Sequence, residues 1–320
     1  MSMKLQTKIP LNPANSQIDY QSRLLLVGSC FVENIGKKSD YFKFQNLQNP
    51  WGVLFHPKAI ENLLSRALDH NTFTERDVFF HNERWHCFDA HSDLSDVSKE
   101  RLVQRLNESL EHTSQEIGEA THIILTLGTA WTYRYKKTNA LVANCHKIPQ
   151  KEFDKELLSI ETIAKSLEQL VNRIQSVNKK AQIILTISPV RHLKDGFLEN
   201  QRSKAHLITA VHQLLDTYPE RTTCLYFPSY ELMMDELRDY RFYEADMIHP
   251  NSLAIDYIWE KFKETWISKQ AYSTMEKVDT IQKGLMHRPF HPDSESHQKF
   301  RKSLQEKIVY LQKGYPFMEF

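Results

Sequence analysis

The chain has 320 residues, 41% of them hydrophobic, enough for one large core or two small ones. Its 41 Lys and Arg against 40 Asp and Glu leave a formal charge of +1, so no global field draws it to nucleic acid or to an anionic membrane. The four cysteines (Cys30, Cys87, Cys145, Cys224) are scattered and form no C-x-x-C pair, which argues against a zinc ribbon or a disulfide framework and fits reduced thiols in a cytoplasm.

Residues 1–22 read as an N-terminal arm. The opening MSMKLQTKIPLNPANSQ has no apolar h-region or small-residue cleavage site, and no apolar run reaches bilayer length. A soluble cytoplasmic protein is expected. The first apolar run, Leu24–Val27, reads as a buried strand and ends on Gly28, Ser29 and Cys30. A second strand is expected at Tyr41–Phe44. Pro57–Leu68 has helical period. Asn71–His91, aromatic and His-rich, reads as a loop or short hairpin. Helix Ser98–Ile117 and strand His122–Leu127 follow, then an irregular insertion at Tyr133–Gln150. Helix Ser159–Val177, strand Gln182–Ile187, helix Asn200–Thr217, strand Thr223–Phe227 and helix Ser252–Ser268 complete an alternating pattern. Such alternation implies βα crossovers and a doubly wound, mainly parallel five-stranded sheet. Two further helices, Tyr272–Leu285 and Ser294–Lys313, flank the breaker HRPFHPDSES. The expectation is one domain over 23–270, with a helical appendage at 271–320 packed on it.

The chemistry gathers at strand ends, where open parallel sheets bind ligands. Glycine is scarce, 8 residues against the usual ~7% of a chain, yet Gly28, Gly52 and Gly128 all fall at or beside predicted strand ends. Ser29 follows the first strand directly. A serine hydroxyl needs a general base and a group to orient that base. Asp246 and His249 in EADMIHP are three residues apart and can meet on one turn. Each element alone is weak, because a serine after a strand is commonly a helix cap. Their order, serine at the first strand and Asp-x-x-His after the last, raises the odds.

Gly28-Ser29-Cys30-Phe31 and Asp246-x-x-His249 resemble the GSCFA family, which itself resembles the SGNH/GDSL hydrolases. NPWGVLFHP, LTLGTAWTY, NCHKIP, SPVRHLKDGFLENQRSK and YFPSYELMMDELRDYRFYEADMIHP are similar too, so the likeness runs from about Leu24 to Ile267. Val32 stands where the family name leads one to expect Ala. The resemblance implies a three-layer α/β/α fold of flavodoxin-like type, an SGNH-like hydrolase domain, and ester hydrolysis without metal or cofactor. It makes Ser29 the nucleophile, His249 the base, Asp246 its orienting partner and Gly52 an oxyanion glycine. Ala130, in Gly128-Thr129-Ala130-Trp131, occupies the place of the oxyanion Asn of SGNH enzymes. Loss of one such donor costs ~10²–10³ in rate. Asn49, Thr129 and Asn200 are candidate substitutes, with Cys30 beside Ser29 a further oxyanion candidate.

Cys30 is also the alternative nucleophile, intrinsically better than serine. GSCFVENIGKKS has seven residues between its glycines, so it is no Walker A, and no G-x-G-x-x-G is present. The histidine clusters (His81, His86, His91; His287, His291, His297) match no metal-ligand spacing, although the WHCFDAHS loop offers one wall for a pocket. Arg191 and His192 follow the fourth strand, where Arg191 can bind an anionic substrate group or pair with Glu199. Trp131 can stack on a sugar or acyl group, or simply pack. The expected partner is a small-molecule or carbohydrate ester, with neither nucleic acid nor membrane. The O-acyl group, O-acetyl among the options, and the oligomeric state stay open. The rival functions are a non-catalytic ligand-binding module and an acyltransferase using the same triad.

Overall fold

A computed structural model describes residues 6–218 and 223–320; the first five residues of the predicted arm lie outside the described residues. The main sheet has five parallel strands in the order β10-β9-β5-β1-β2. These are β1 (Arg23–Gly28), β2 (Gln45–Gln48), β5 (His122–Leu127), β9 (Gln182–Ile187) and β10 (Cys224–Phe227). Strand β5 is buried at every position, as a strand covered on both faces must be.

Alternation of side chains divides the core into two layers. Leu25 and Val27 of β1 face a cluster built by α2 (Pro57–Leu68), α3 (Lys99–Glu119), α4 (Ile160–Val177) and α5 (Phe197–Asp216). Leu24 and Leu26 face the other way, toward α1 (Cys30–Tyr41), α7 (Ser252–Trp266), α8 (Tyr272–Met286) and α9 (Glu295–Gly314). The result is the expected three-layer α/β/α sandwich, with the C-terminal helices sharing the second core. The arm joins it as well, since Ile18 is buried and pairs with Ile267.

Two expectations shift and one is met. Tyr41–Phe44 is not a strand: Tyr41 ends α1, and β2 begins at Gln45. Helix α1 went unread because CFVENIGKKSDY is short and largely polar. The stretch Tyr133–Gln150 is not irregular, since β6 (Trp131–Tyr135) pairs antiparallel with β7 (Ala140–Val142) and β8 (Phe153–Leu157) in a separate small sheet. The Asn71–His91 stretch does hold a hairpin, β3 (Val78–His81) with β4 (Arg84–Cys87). After β10 come a turn of helix, α6 (Ser229–Glu231), and a π-turn at Leu232–Glu236.

From β1 the chain goes to β2 on one side, while β5, β9 and β10 build the other. The carboxyl ends of β1 and β5 therefore flank a topological switch point, the place where such folds hold ligands.

Candidate active site

Gly28 makes the turn out of β1. Its φ is +144°, and a Cβ there would stand 2.1 Å from the Thr126 carbonyl oxygen, so only glycine fits. The Gly28 N–H donates to Asn49 Oδ1 at 2.9 Å, and the Gly28 carbonyl accepts from Leu54 N–H at 2.9 Å. Asn49 is thereby a brace for this turn. Its amide nitrogen points to Glu33 Oε1, at 3.4 Å.

Ser29 occupies the N-cap position of α1, yet its hydroxyl caps nothing. The residue is wholly buried, and Ser29 Oγ has no hydrogen-bond partner. An orphaned buried hydroxyl costs roughly 1–3 kcal/mol and calls for a reason. The Ser29 N–H donates to Thr126 O at 3.0 Å. Next to it, the Cys30 thiol is pushed above its ordinary range by burial and by the charge of Glu33, which disfavours the thiolate.

The Asp246–His249 pair is formed. His249 Nδ1 lies 2.7 Å from Asp246 Oδ2, while Asp246 Oδ1 accepts the backbone N–H groups of Ile248 and His249. Those bonds from His249 and Ile248 hold the Asp246 carboxyl down to about 2. Both side chains are about half exposed, 48% for His249 and 45% for Asp246. Ser29 Oγ makes no bond to His249, so the dyad and the serine stand apart in this state. The link between them runs through a neighbouring loop. Arg191 N–H donates to Ile248 O at 3.3 Å, and the charge of His249 is felt at the next residue, His192.

His192 closes the gap to Ser29. Its Nε2 is buried and unpartnered. A Cβ on Gly128 would stand 3.2 Å from Ser29 Cβ and 3.3 Å from His192 Nε2, so the serine and the imidazole converge on the bare face of Gly128. Burial, Lys204 and His249 hold the His192 pKa down to about 3, which keeps the ring neutral.

Beneath them lies Lys204. It is fully buried, and its Nζ donates to Gly128 O at 2.8 Å and Ser188 O at 2.6 Å. Burial lowers its pKa to about 7, partly offset by the Cys30 thiol. The sequence reading gave Lys204 no role. The available signal was its spacing: Asn200, Ser203, Lys204 and Leu207 share the buried face of α5.

The other oxyanion candidates have partners elsewhere. Gly52 N–H donates to Asn49 O at 2.7 Å inside its own turn. Thr129 Oγ1 meets Ser203 Oγ at 3.0 Å and accepts Trp131 N–H. Asn200 Oδ1 accepts the His192 backbone N–H at 2.8 Å. Ala130 is sealed in the core, its N–H bonded to Ser203 Oγ.

Trp131 begins β6, donates its indole N–H to Glu199 O at 3.2 Å and carries Lys155 Nζ 4.4 Å from its ring centre. Glu199 itself stands 3.8 Å from Arg202, and the Arg191 guanidinium lies 4.2 Å from the ring centre of Tyr243. Arg191 and Tyr243 help line a cavity of about 220 Å³ with Arg238, Asp239 and Tyr240. The WHCFDAHS loop packs on the Gly52 turn, where His91 N–H donates to Trp51 O.

Among the described residues, no helix is long and apolar enough to cross a membrane, and no three His, Cys, Asp or Glu are placed to hold a metal ion. No curated protein matches the chain. Among solved structures it is similar to an acetyl xylan esterase (Est2A) from the rumen bacterium Butyrivibrio proteoclasticus, with 11% sequence identity and a TM-score of 0.36. That likeness covers 84% of this chain and 65% of the esterase chain. The profile of the GSCFA domain protein C-terminal domain matches residues 278–320. The GSCFA family profile matches residues 23–262, most of the length, and the chain belongs to the GSCFA family.

Proposed function

We propose that the chain is an SGNH-like serine hydrolase that cleaves O-acyl esters, O-acetyl esters among them, of a carbohydrate or related small metabolite. The observation that carries this reading is Ser29 itself: a buried hydroxyl at a helix N-cap and a topological switch point that neither caps nor bonds. The cost of such a group is justified by a reaction that uses it.

In the proposed mechanism His249, oriented by Asp246, accepts the Ser29 proton. The freed oxygen attacks the acyl carbon, and the carbonyl electron pair moves onto its oxygen. The first N–H groups of α1, with Cys30 N–H nearest, face that oxyanion at the positive end of the helix. Collapse expels the alcohol, which takes the proton from His249. Water, deprotonated by His249, then releases the acid and restores Ser29. Catalytic hydrogen bonds are commonly loose before substrate arrives and tighten in the complex, so the unbonded Ser29 is compatible with this scheme.

The test is labelling by a fluorophosphonate, read by intact mass. A single adduct is expected on the parent and none on Ser29→Ala. Asp246→Asn should label about 10²–10⁴-fold more slowly than the parent, through loss of base orientation. Equal labelling of Ser29→Ala and parent would sink the reading.

A second reading is favoured by the seal over Ser29 and by Ala130: a ligand-binding module without catalysis. Absence of any adduct, together with no hydrolysis of p-nitrophenyl acetate, would select it. Acyl transfer to an alcohol uses the same residues and differs only in the acceptor of the last step.

A further inference from the structure

An oxyanion hole needs donors aimed at one point beside the nucleophile. The side chain expected to supply one is absent, since Ala130 has no donor to give. Asn49 braces Gly28, Thr129 meets Ser203, and Asn200 uses its oxygen on the His192 backbone. Two buried polar atoms beside Gly128 have no such engagement, Ser29 Oγ and His192 Nε2. Ser29 Cβ at 3.2 Å and His192 Nε2 at 3.3 Å border the place a Gly128 side chain would fill, together with the Phe55 carbonyl oxygen at 3.0 Å, which already accepts the N–H groups of Gly128 and Thr129. The glycine leaves a gap bordered by the nucleophile's carbon, an imidazole nitrogen and the engaged Phe55 carbonyl, and of these only the imidazole can donate.

We propose that His192, as the neutral Nε2–H imidazole, is the side-chain donor of the oxyanion hole at Ser29. The inference rests on the serine-hydrolase reading above. It divides the work between two histidines by environment, a recurrent way of separating roles. His249 is half exposed and paired with Asp246, as suits a base. His192 has its Nε2 buried and no carboxylate bonded to its ring; burial first, then Lys204 and His249, opposes protonation there. A ring so reluctant to take a proton is a poor base, but its N–H is a sound hydrogen-bond donor. In the attack the C=O becomes C–O⁻, the Ser29 proton goes to His249, and the His192 proton stays on Nε2, hydrogen-bonded to the new oxyanion. Two contacts fix the ring: the Asn200 bond to its backbone, and the Phe55 ring edge-on with centroids 5.5 Å apart. The Arg191–Ile248 bond ties this donor to the loop that carries the base.

The experiment measures the rate of Ser29 phosphonylation by a fluorophosphonate, whose phosphonyl oxygen takes the oxyanion position. The parent is compared with Ser29→Ala, His192→Ala, His192→Gln and His249→Ala from pH 6 to 9, with a thermal melt of each. His192→Ala should be slower by about 10²–10³-fold at every pH, with the shape of the pH profile kept. His192→Gln, which restores an N–H, should recover at least about tenfold of that loss. Labelling of His192→Ala at the parental rate overturns the inference, as does a profile changed in the manner of His249→Ala, which would make His192 the base. A slow His192→Ala with no recovery in a stably folded His192→Gln overturns it too. No adduct on the parent, or an equal one on Ser29→Ala, removes the hydrolase reading first and this inference with it.

Discussion

At the scale of single residues the heaviest burden falls on Lys204. Its ammonium has been taken out of water and is held by the carbonyls that follow β5 and β9. A lysine with a folded pKa of about 7 and an ordinary value of 10.5 binds fewer protons in the fold than in the unfolded chain between those limits. Stability therefore rises with pH across that window, by up to ~1.4 kcal/mol per unit from this group. Urea unfolding at pH 7 and 8, where the thiols of the unfolded chain are still mostly protonated, should show that rise in the parent and lose it in Lys204→Met. The variant should also be less stable at pH 8 by about 1–3 kcal/mol, since two buried carbonyls lose their donor. An unchanged pH slope would refute the account. The contrast in legibility is instructive. Asp246 and His249 could be paired from spacing alone, because residues three apart meet wherever the chain makes one turn, as it does here with Met247 at a φ of +58°. The parts of Lys204 and His192 depend on loops after three different strands meeting at one point, and no local pattern carries that. Gly52, Thr129 and Asn200 were singled out as the right kinds of residue at strand ends, yet each has its donor or acceptor turned to a neighbour.

At the scale of elements, the sheet was readable where burial is complete. HIILTL and QIILTI are apolar on both faces because helices cover both faces. The edge strand QNLQ was misplaced because every residue of β2 is only partly buried, so it lacks the apolar signature. The same reason hid the small sheet of β6, β7 and β8, whose strands are short and mostly half-exposed. The junction of β1 and α1 is the element on which the site depends. Gly28→Ala would force a Cβ against the Thr126 backbone and strain a φ of +144°. A loss of at least about 3 kcal/mol is expected in denaturant unfolding. Gly118→Ala, at a helix position with nothing within 4 Å of the new methyl, is the control and should be neutral or slightly stabilising. Equal behaviour of the two would mean that the close approach of β1 to β5 is dispensable.

At the scale of the whole molecule, the C-terminal helices bear on the site from behind. Tyr41, the last residue of α1, donates its hydroxyl to Asp279 at 2.8 Å, and Gln282 donates to its carbonyl at 2.9 Å. Helix α8 thus grips the far end of the helix whose near end presents Ser29. Leu304, Ile308, Leu311 and Met318 lie in the same core as Phe31 and Val32 of α1. The helices themselves were legible from period, but not this grip, which joins residues far apart along the chain. Between α8 and α9 the chain passes through a segment where Phe290 is completely exposed. That places a protease-accessible hinge between two pieces whose facing surfaces are buried together. A chymotryptic cut after Phe290 should give a nicked protein that still elutes as a single species and still labels at Ser29, parting only in denaturant. Prompt separation of the pieces would show that the backbone link is required. The covalent chain at this point is then a convenience of synthesis, and the molecule is already, in its packing, a heterodimer made in one piece.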